Sequence, residues 1–282
     1  MKQTYAYISL MILLLALCLG GCASPKPYVS NPKMSEAQNI IKAAGMVHNL
    51  DIVAPDNGSL ATNVAGAVTH SMSHGGSLLA SAGLRGGVSF LGGLVLGSRD
   101  PEAYSKIVAW MPKEMATSPE EAKGKMDSML SAALWDALKE TPFPDGYSPN
   151  KTAGTDTFLI EGNGCVNKPN QGVCRYAFTV SAPEVLPAPD FLNGGESWAW
   201  TLHKWPIGLS PATFSGDRKP HFPDYQVYEK MSAKLPEWVY IYLAPSFASW
   251  RVSVERPGGT YGFLSMPVVL NKGNTLYFLR RK

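Results

Sequence analysis

The tetrapeptide Ser118-Pro119-Glu120-Glu121 constrains this 282-residue chain more sharply than any other stretch. A serine oxygen can accept from the free N–H groups of a first helical turn, and proline has the fixed φ that suits the first helical position. A glutamate at the third position can reach back to the donors left over. The helix opened there runs to about Lys139, where Thr141-Pro142-Phe143-Pro144 stops it. Its apolar residues Met126, Met129, Leu130, Ala133, Leu134, Ala137 and Leu138 recur at three- and four-residue spacing and predict one buried stripe. Lys123, Lys125, Asp127, Asp136 and Lys139 lie mostly off it. Beyond about Thr155 the period becomes that of strands, at 155–160, 175–180, 237–243, 250–255, 259–264, 268–270 and 275–279. Pro257-Gly258-Gly259 and Asn271-Lys272-Gly273-Asn274 supply turns. A long helix followed by a run of strands is the segregated order of an α+β protein, an antiparallel sheet packed with a helix. Proline-rich residues 183–236 read as long loops.

At the other end, Lys2 precedes a charge-free run over 8–19 that closes on Leu19-Gly20-Gly21-Cys22. A positive start, about a dozen apolar residues and a small-residue exit form an export signal, too short for a permanent membrane span. The closing tetrapeptide resembles the lipobox of bacterial lipoproteins, a resemblance covering residues 1 to about 24. It implies that a diacylglycerol alkylates the Cys22 thiol, that the signal is cut before Cys22, and that the new amino group is acylated, with palmitate-type chains. Ala23 and Ser24 in place of an aspartate imply sorting to the outer membrane, facing the periplasm. The alternative is an ordinary secretory signal with Cys22 close to its cleavage point. One acyl chain binds a bilayer marginally, whereas two or more hold firmly.

Residues 1–21 are thus expected to be a signal peptide and 22–34 a lipidated tether, uncharged apart from Lys26 and Lys33. Residues 35–98 read as a helical, Gly/Ala-rich segment, and 99–282 as a periplasmic α+β domain. Ser35-Glu36-Ala37-Gln38 can cap a helix to about Met46, with Ile40, Ile41 and Ala44 on one side.

From Ser59 to Gly97 the chain carries one guanidinium, Arg85, two histidines and no other ionisable side chain. Gly83 with Gly87, and Gly93 with Gly97, stand four apart and would share helix faces on which backbones approach closely. Such glycines disfavour a helix in water by about 1 kcal/mol each relative to alanine. These four are therefore expected to contact membrane or sibling subunits. A hairpin spanning the bilayer meets a length problem, since residues 86–97 give about 18 Å of helix against a core of about 30 Å. A buried hairpin of a soluble domain is the other reading.

Composition narrows the functional classes. With 25 basic and 22 acidic residues and no dense basic run before Arg280-Arg281-Lys282, nucleic acid is not an expected partner. Cys18 leaves with the signal and Cys22 would carry lipid, so Cys165 and Cys174 remain, embedded in turn-forming residues. In an oxidising periplasm such a pair reads as a disulfide stapling the loop between two strands, worth about 2–3 kcal/mol.

Catalytic and metal motifs are sparse. His70 and His74 would meet on a helix face, but Ser71-Met72-Ser73 lies between them in place of the glutamate that hydrolytic metal sites use. No nucleophile elbow or phosphate loop occurs. No metal, no cofactor and no catalytic residue is expected. Trp198, Trp200 and Trp205, near His203 and Glu196, form the densest aromatic cluster; they fit core packing and a partner surface almost equally, with a ligand platform as the third alternative. The C-terminal strand could form a sheet edge open to pairing.

The expectation is a non-enzymatic outer-membrane lipoprotein that serves as a structural or assembly subunit of an envelope complex, in the manner of a secretion or conjugation apparatus. Its partners would be the bilayer, through acylated Cys22, and copies of itself or other envelope proteins. The alternative is an envelope hydrolase acting on peptidoglycan or a glycan. That reading would need Glu196, Asp217, His221, Asp224 or Ser210 to converge in a cleft.

Overall fold

The computed structural model describes residues 25–46, 49–53, 104–151, 157–162, 174–202, 206–213, 223–245, 251–256 and 260–280. The protein is α+β. Its described helices are α1 (Glu36–Ala43), α2 (Pro119–Glu140) and α3 (Asp224–Lys234). The strands in chain order begin with β1 (Ile52–Val53), β2 (Lys106–Pro112), β3 (Tyr147–Lys151), β4 (Thr157–Gly162) and β5 (Cys174–Thr179). They continue with β6 (Glu184–Pro187), β7 (Glu196–Trp200), β8 (Ile207–Thr213), β9 (Val239–Leu243) and β10 (Arg251–Arg256). The last four are β11 (Thr260–Ser265), β12 (Val268–Asn271), β13 (Asn274–Tyr277) and β14 (Leu279–Arg280).

Ten of these strands form one antiparallel sheet, eight of them in the order β13-β12-β9-β2-β8-β5-β4-β3 and two, β7 and β6, branching from β2. Strand β2 is shared: its first residues pair with β8 and its last with β7, which in turn pairs with β6. Strands β10 and β11 form a separate hairpin, and β1 pairs in parallel with β14. Among the described residues β13 stands at the end of that order, and the chain runs on into β14 beside β1.

Strand alternation sorts the central residues between two cores. Ile107, Ala109 and Met111 of β2, Val239, Ile241 and Leu243 of β9, and Val268 and Leu270 of β12 face one side. There they meet Met126, Leu130, Leu134 and Leu138 of α2 and Val227, Tyr228 and Met231 of α3. Val108, Trp110, Tyr240, Tyr242 and Val269 face the other side with Ala37, Ile40, Ile41 and Ala44 of α1, and with Phe278. Covered on both faces, β9 is buried throughout, which is why Val-Tyr-Ile-Tyr-Leu shows no polar alternation. The β4–β5 pair is covered on one face only and alternates: Phe158, Ile160, Tyr176 and Phe178 are buried, while Arg175 and Thr179 are exposed.

The α2 start forms as its sequence dictates. Ser118 Oγ accepts from Glu121 N–H at 3.1 Å. The Glu121 carboxylate reaches back one residue further than a standard capping box, to the N–H (2.8 Å) and hydroxyl (2.7 Å) of Thr117. The anticipated stripe is buried except Met129, which is half-exposed, and Ala122 joins it. The Asn271–Asn274 turn joins β12 to β13 with positive φ at both Lys272 (51°) and Gly273 (77°), the twist a two-residue hairpin needs.

Two organisational expectations change. Helix α1, grouped by sequence with the Gly-rich residues of 35–98, packs instead in one core with β2, β9 and β12 of the 99–282 region. The proline-rich stretch 183–236 holds β6, β7, β8 and α3 rather than long loops alone. Gly83, Gly87, Gly93 and Gly97, with the rest of the anticipated hairpin, lie outside the described residues. So do Cys22, Cys165, Trp205, His70, His74, His203, Asp217 and His221.

Candidate functional site

Among the described residues, a heavily bonded exposed feature is a strap, residues 25–35, which leads into α1. It runs without regular secondary structure, turns at Asn31–Met34, and delivers Ser35 as the N-cap of α1, where Ser35 Oγ accepts from Gln38 N–H at 3.0 Å. Asp51, returning after the helix, holds that cap from outside: its carboxylate accepts from Ser35 N–H at 2.8 Å and from the Ser35 hydroxyl. Gln38 Oε1 accepts from Leu50 N–H at 2.5 Å.

Asn39, on the first turns of α1, is the hub. Its Oδ1 accepts from Tyr28 Oη (3.0 Å) and Asn31 N–H (2.8 Å), and its Nδ2 donates to the carbonyls of Asn31 and Ser35, both at 3.1 Å. One buried amide thus uses both its donors and both acceptor positions. Helix α1 ends in a Schellman arrangement, with Gly45 at φ 98°, Gly45 N–H on Lys42 O (2.9 Å) and Met46 N–H on Ile41 O (2.8 Å). Its Ala44 carbonyl accepts from Leu202 N–H at 2.7 Å, tying the helix end to the chain leaving β7.

The strap's outer run lies on the turn Asp190–Leu192 and the residues after it. Asp190 N–H donates to Tyr28 O at 3.0 Å, and the Asp190 carboxylate accepts from Ser30 N–H at 2.9 Å and from the Ser30 hydroxyl. These Ser30 bonds hold the Asp190 carboxyl below the usual carboxylate range. Desolvation first, and the Asp190 charge second, push the Tyr28 hydroxyl up.

A depressed carboxyl contributes stability that is present above the unfolded value and lost as pH falls through the folded one. The strap clasp is therefore expected to hold from neutral pH to about pH 4 and to loosen below it. Protection factors of the Ser30 and Asp190 amides, measured by hydrogen exchange across that interval, check this. Constant protection down to strongly acid pH would show that the carboxylate does not hold the strap.

Of the two readings of the aromatic cluster, core packing holds for Trp198 and Trp200. Trp198 is 3% and Trp200 0% exposed. On β7 they alternate with Ala199, so both indoles enter the core beneath α2, with Nε1 of Trp198 donating to Ala116 O (3.0 Å) and Nε1 of Trp200 to Ser181 O (2.8 Å). The Lys113 ammonium sits 3.0 Å from the Trp198 ring centroid. Buried rings with satisfied N–H groups offer nothing to a partner, which corrects the partner-surface expectation for these two residues.

Of the residues that a hydrolytic site would need, Glu196 is exposed at the start of β7, and Asp224 opens α3. Asp224 Oδ1 accepts from Tyr176 Oη at 2.5 Å. The rings of Tyr176 and Tyr228 meet edge-on at 6.0 Å, and the buried Tyr228 hydroxyl has no partner among the described residues. Burial first, then the Asp224 charge, pushes both hydroxyls far above the usual tyrosine range, so neither can act as a base near neutral pH. Tyr176→Phe strips a partly buried carboxylate of a donor and is expected to lower unfolding free energy by about 1–3 kcal/mol. Tyr228→Phe removes an unpaired hydroxyl and should change stability by no more than about 0.5 kcal/mol, or raise it. Urea unfolding of the two variants side by side tests the contrast, and equal losses would mean that the Tyr228 hydroxyl is in fact satisfied.

Among the described residues no His, Cys, Asp and Glu are grouped to hold a metal ion, and no helix is long and apolar enough to cross a membrane. Cys174, buried at the start of β5 opposite Ile160 of β4, is disulfide-bonded; Cys165 lies outside the described residues. No signal in the sequence marked the strap: it is short, polar and proline-bearing, like a linker.

By fold and site, this is an α+β protein built on one large antiparallel sheet, with its N-terminal approach bonded to the folded body. No protein-family model, curated protein or solved structure matches the chain.

Proposed function

We propose that the chain is a lipid-anchored protein of the bacterial outer membrane, facing the periplasm, which serves without catalysis as a structural or assembly subunit of a cell-envelope complex such as a secretion or conjugation apparatus. The reading rests on one conjunction at the N-terminus. Cys22 closes a lipobox-like tetrapeptide, and by Tyr28 the chain is already bonded to Asp190 and Asn39 of the folded body. A short connection of this kind suits a protein whose task is to hold a place at a membrane, since a long flexible tether would leave its orientation undefined. The nearly charge-free residues 59–97, with Gly83, Gly87, Gly93 and Gly97, supply a candidate contact with siblings or bilayer. A disulfide between Cys165 and Cys174 fits the same oxidising compartment.

The test compares wild type with Cys22→Ser in fractionated, crosslinked envelopes. Wild type should incorporate labelled palmitate and pull down envelope proteins or copies of itself, and the variant should lose the label and leave the membrane fraction. Unchanged label and retention in Cys22→Ser would sink the anchor. A monomer on detergent extraction, with assembly unaffected by deletion of residues 59–97, would sink the subunit role.

A further inference from the structure

The strap does more than connect if the anchor reading above holds, and this inference rests on that reading. From Cys22 to Pro25 there are three peptide links, which span at most about 11 Å even when fully extended. The headgroup layer on each side of a bilayer is itself about 5–8 Å deep. Acyl chains on Cys22 therefore bring Pro25 to headgroup level, and the residues bonded behind it cannot stand far off.

What the strap presents there is specific. Val29 is 73% exposed, the most exposed large apolar side chain among the described residues. It cannot turn inward, because both neighbours are bonded to one residue: the Tyr28 carbonyl takes the Asp190 N–H, and Ser30 gives its N–H and hydroxyl to the Asp190 carboxylate. Phe191, next to Asp190, is 37% exposed while its ring still stands edge-on to Trp110 and Tyr240 at 6.3 and 6.2 Å. One exposed valine by itself is ordinary. A valine clamped outward by bonds to Asp190, the residue before a half-exposed phenylalanine, and seven positions from an acylated cysteine, is a different matter, since each apolar atom placed at an interface adds to the anchor.

The charges around it nearly cancel. Lys26 and Lys33 are exposed on the strap, Glu36 is exposed at the start of α1, and the Asp190 carboxylate is occupied by Ser30. Attraction to anionic lipid thus contributes little, and the apolar contact sets the orientation.

We propose that the outer side of the strap, Val29 with Phe191, rests in the headgroup region of the bilayer that holds the acyl chains. The domain then lies with its α1 side toward the membrane and its α2–α3 side toward the periplasm. The occupant of this face is a lipid surface.

The experiment uses the mature acylated protein reconstituted in vesicles of phosphatidylethanolamine with a minority of phosphatidylglycerol. A fluorophore is attached by maleimide at Val29→Cys, at Lys33→Cys, or at Ser128→Cys on the exposed side of α2, and is quenched by nitroxide-labelled lipid. Quenching at Val29 is expected to exceed that at Ser128 about threefold or more, with Lys33 between them, given the depth to which interfacial side chains settle. Equal quenching at all three sites, in protein whose N-terminal peptide carries acyl chains by mass spectrometry, overturns the orientation and leaves the anchor standing. An N-terminal peptide without acyl chains overturns the anchor and the orientation with it.

Discussion

Replacing Trp200 with alanine is expected to lower the unfolding free energy by about 3–5 kcal/mol, seen as a fall in the urea midpoint with the slope unchanged. Trp200 is fully buried, paired across β2 with Ala109, and set on the same side of β7 as Trp198. Its removal takes a large apolar surface out of the α2 core and leaves a cavity that a central strand, held between β6 and β2, cannot close. It also strips the Ser181 carbonyl of the indole N–H that it accepts at 2.8 Å. Trp200→Phe should fall between, keeping most of the volume and losing the bond. A loss under about 1 kcal/mol for the alanine variant would mean that the indole is not core, and would return Trp200 to the candidates for a partner surface.

Asn39→Ala acts locally, and its expected size is about 2–4 kcal/mol in the stability of the strap. Four hydrogen bonds meet on that amide, and alanine leaves the Asn31 N–H and the Tyr28 hydroxyl without it, while the Asn31 carbonyl keeps only the Met34 N–H. The loss concentrates in residues 25–35 because α1 keeps its own core contacts through Ile40 and Ile41. The readout is tryptic cleavage after Lys33, which is exposed but sits in a bonded turn. The variant should be cut faster by about one and a half to three orders of magnitude, following the population of the open form, while global unfolding shifts less. Asn39→Asp, which retains an acceptor and loses both donors, should lie between. Unchanged cleavage in Asn39→Ala would show that the strap is held by something other than this hub, and would weaken the membrane orientation that depends on a rigid strap.

The parts of this fold that could be read in advance share one property: their signals are local. Ser118 and Glu121 cap a helix by bonds within four residues, and the Lys272-Gly273 turn needs only positive φ at two adjacent positions. The β4–β5 pair was legible because one open face leaves an alternation on show. The missed elements fail for identifiable reasons. Strand β2, Ile-Val-Ala-Trp-Met at its centre, is covered on both faces and lacks a period of two. Helix α3 buries a short stripe, Val227, Tyr228 and Met231, within a largely polar sequence, and Pro206 just before β8 and Pro211 within it resemble loop signals. Glu196-Ser-Trp-Ala-Trp has the alternation of a strand, yet three tryptophans in eight residues fit a core and a partner surface alike.

By itself the sequence determined the class of the fold, the capped α2 and the grounds for an anchor at Cys22, because each is written in residues adjacent in the chain or repeating at a fixed period. Only the tertiary structure decided which faces those elements bury. Whether Trp198 and Trp200 look outward depends on α2 lying over β7, and whether residues 25–35 form a tether or a strap depends on Asp190, some 160 positions away, accepting the Ser30 N–H and hydroxyl. Contacts across such separations leave no period to read, since each partner by itself is an ordinary polar or aromatic residue.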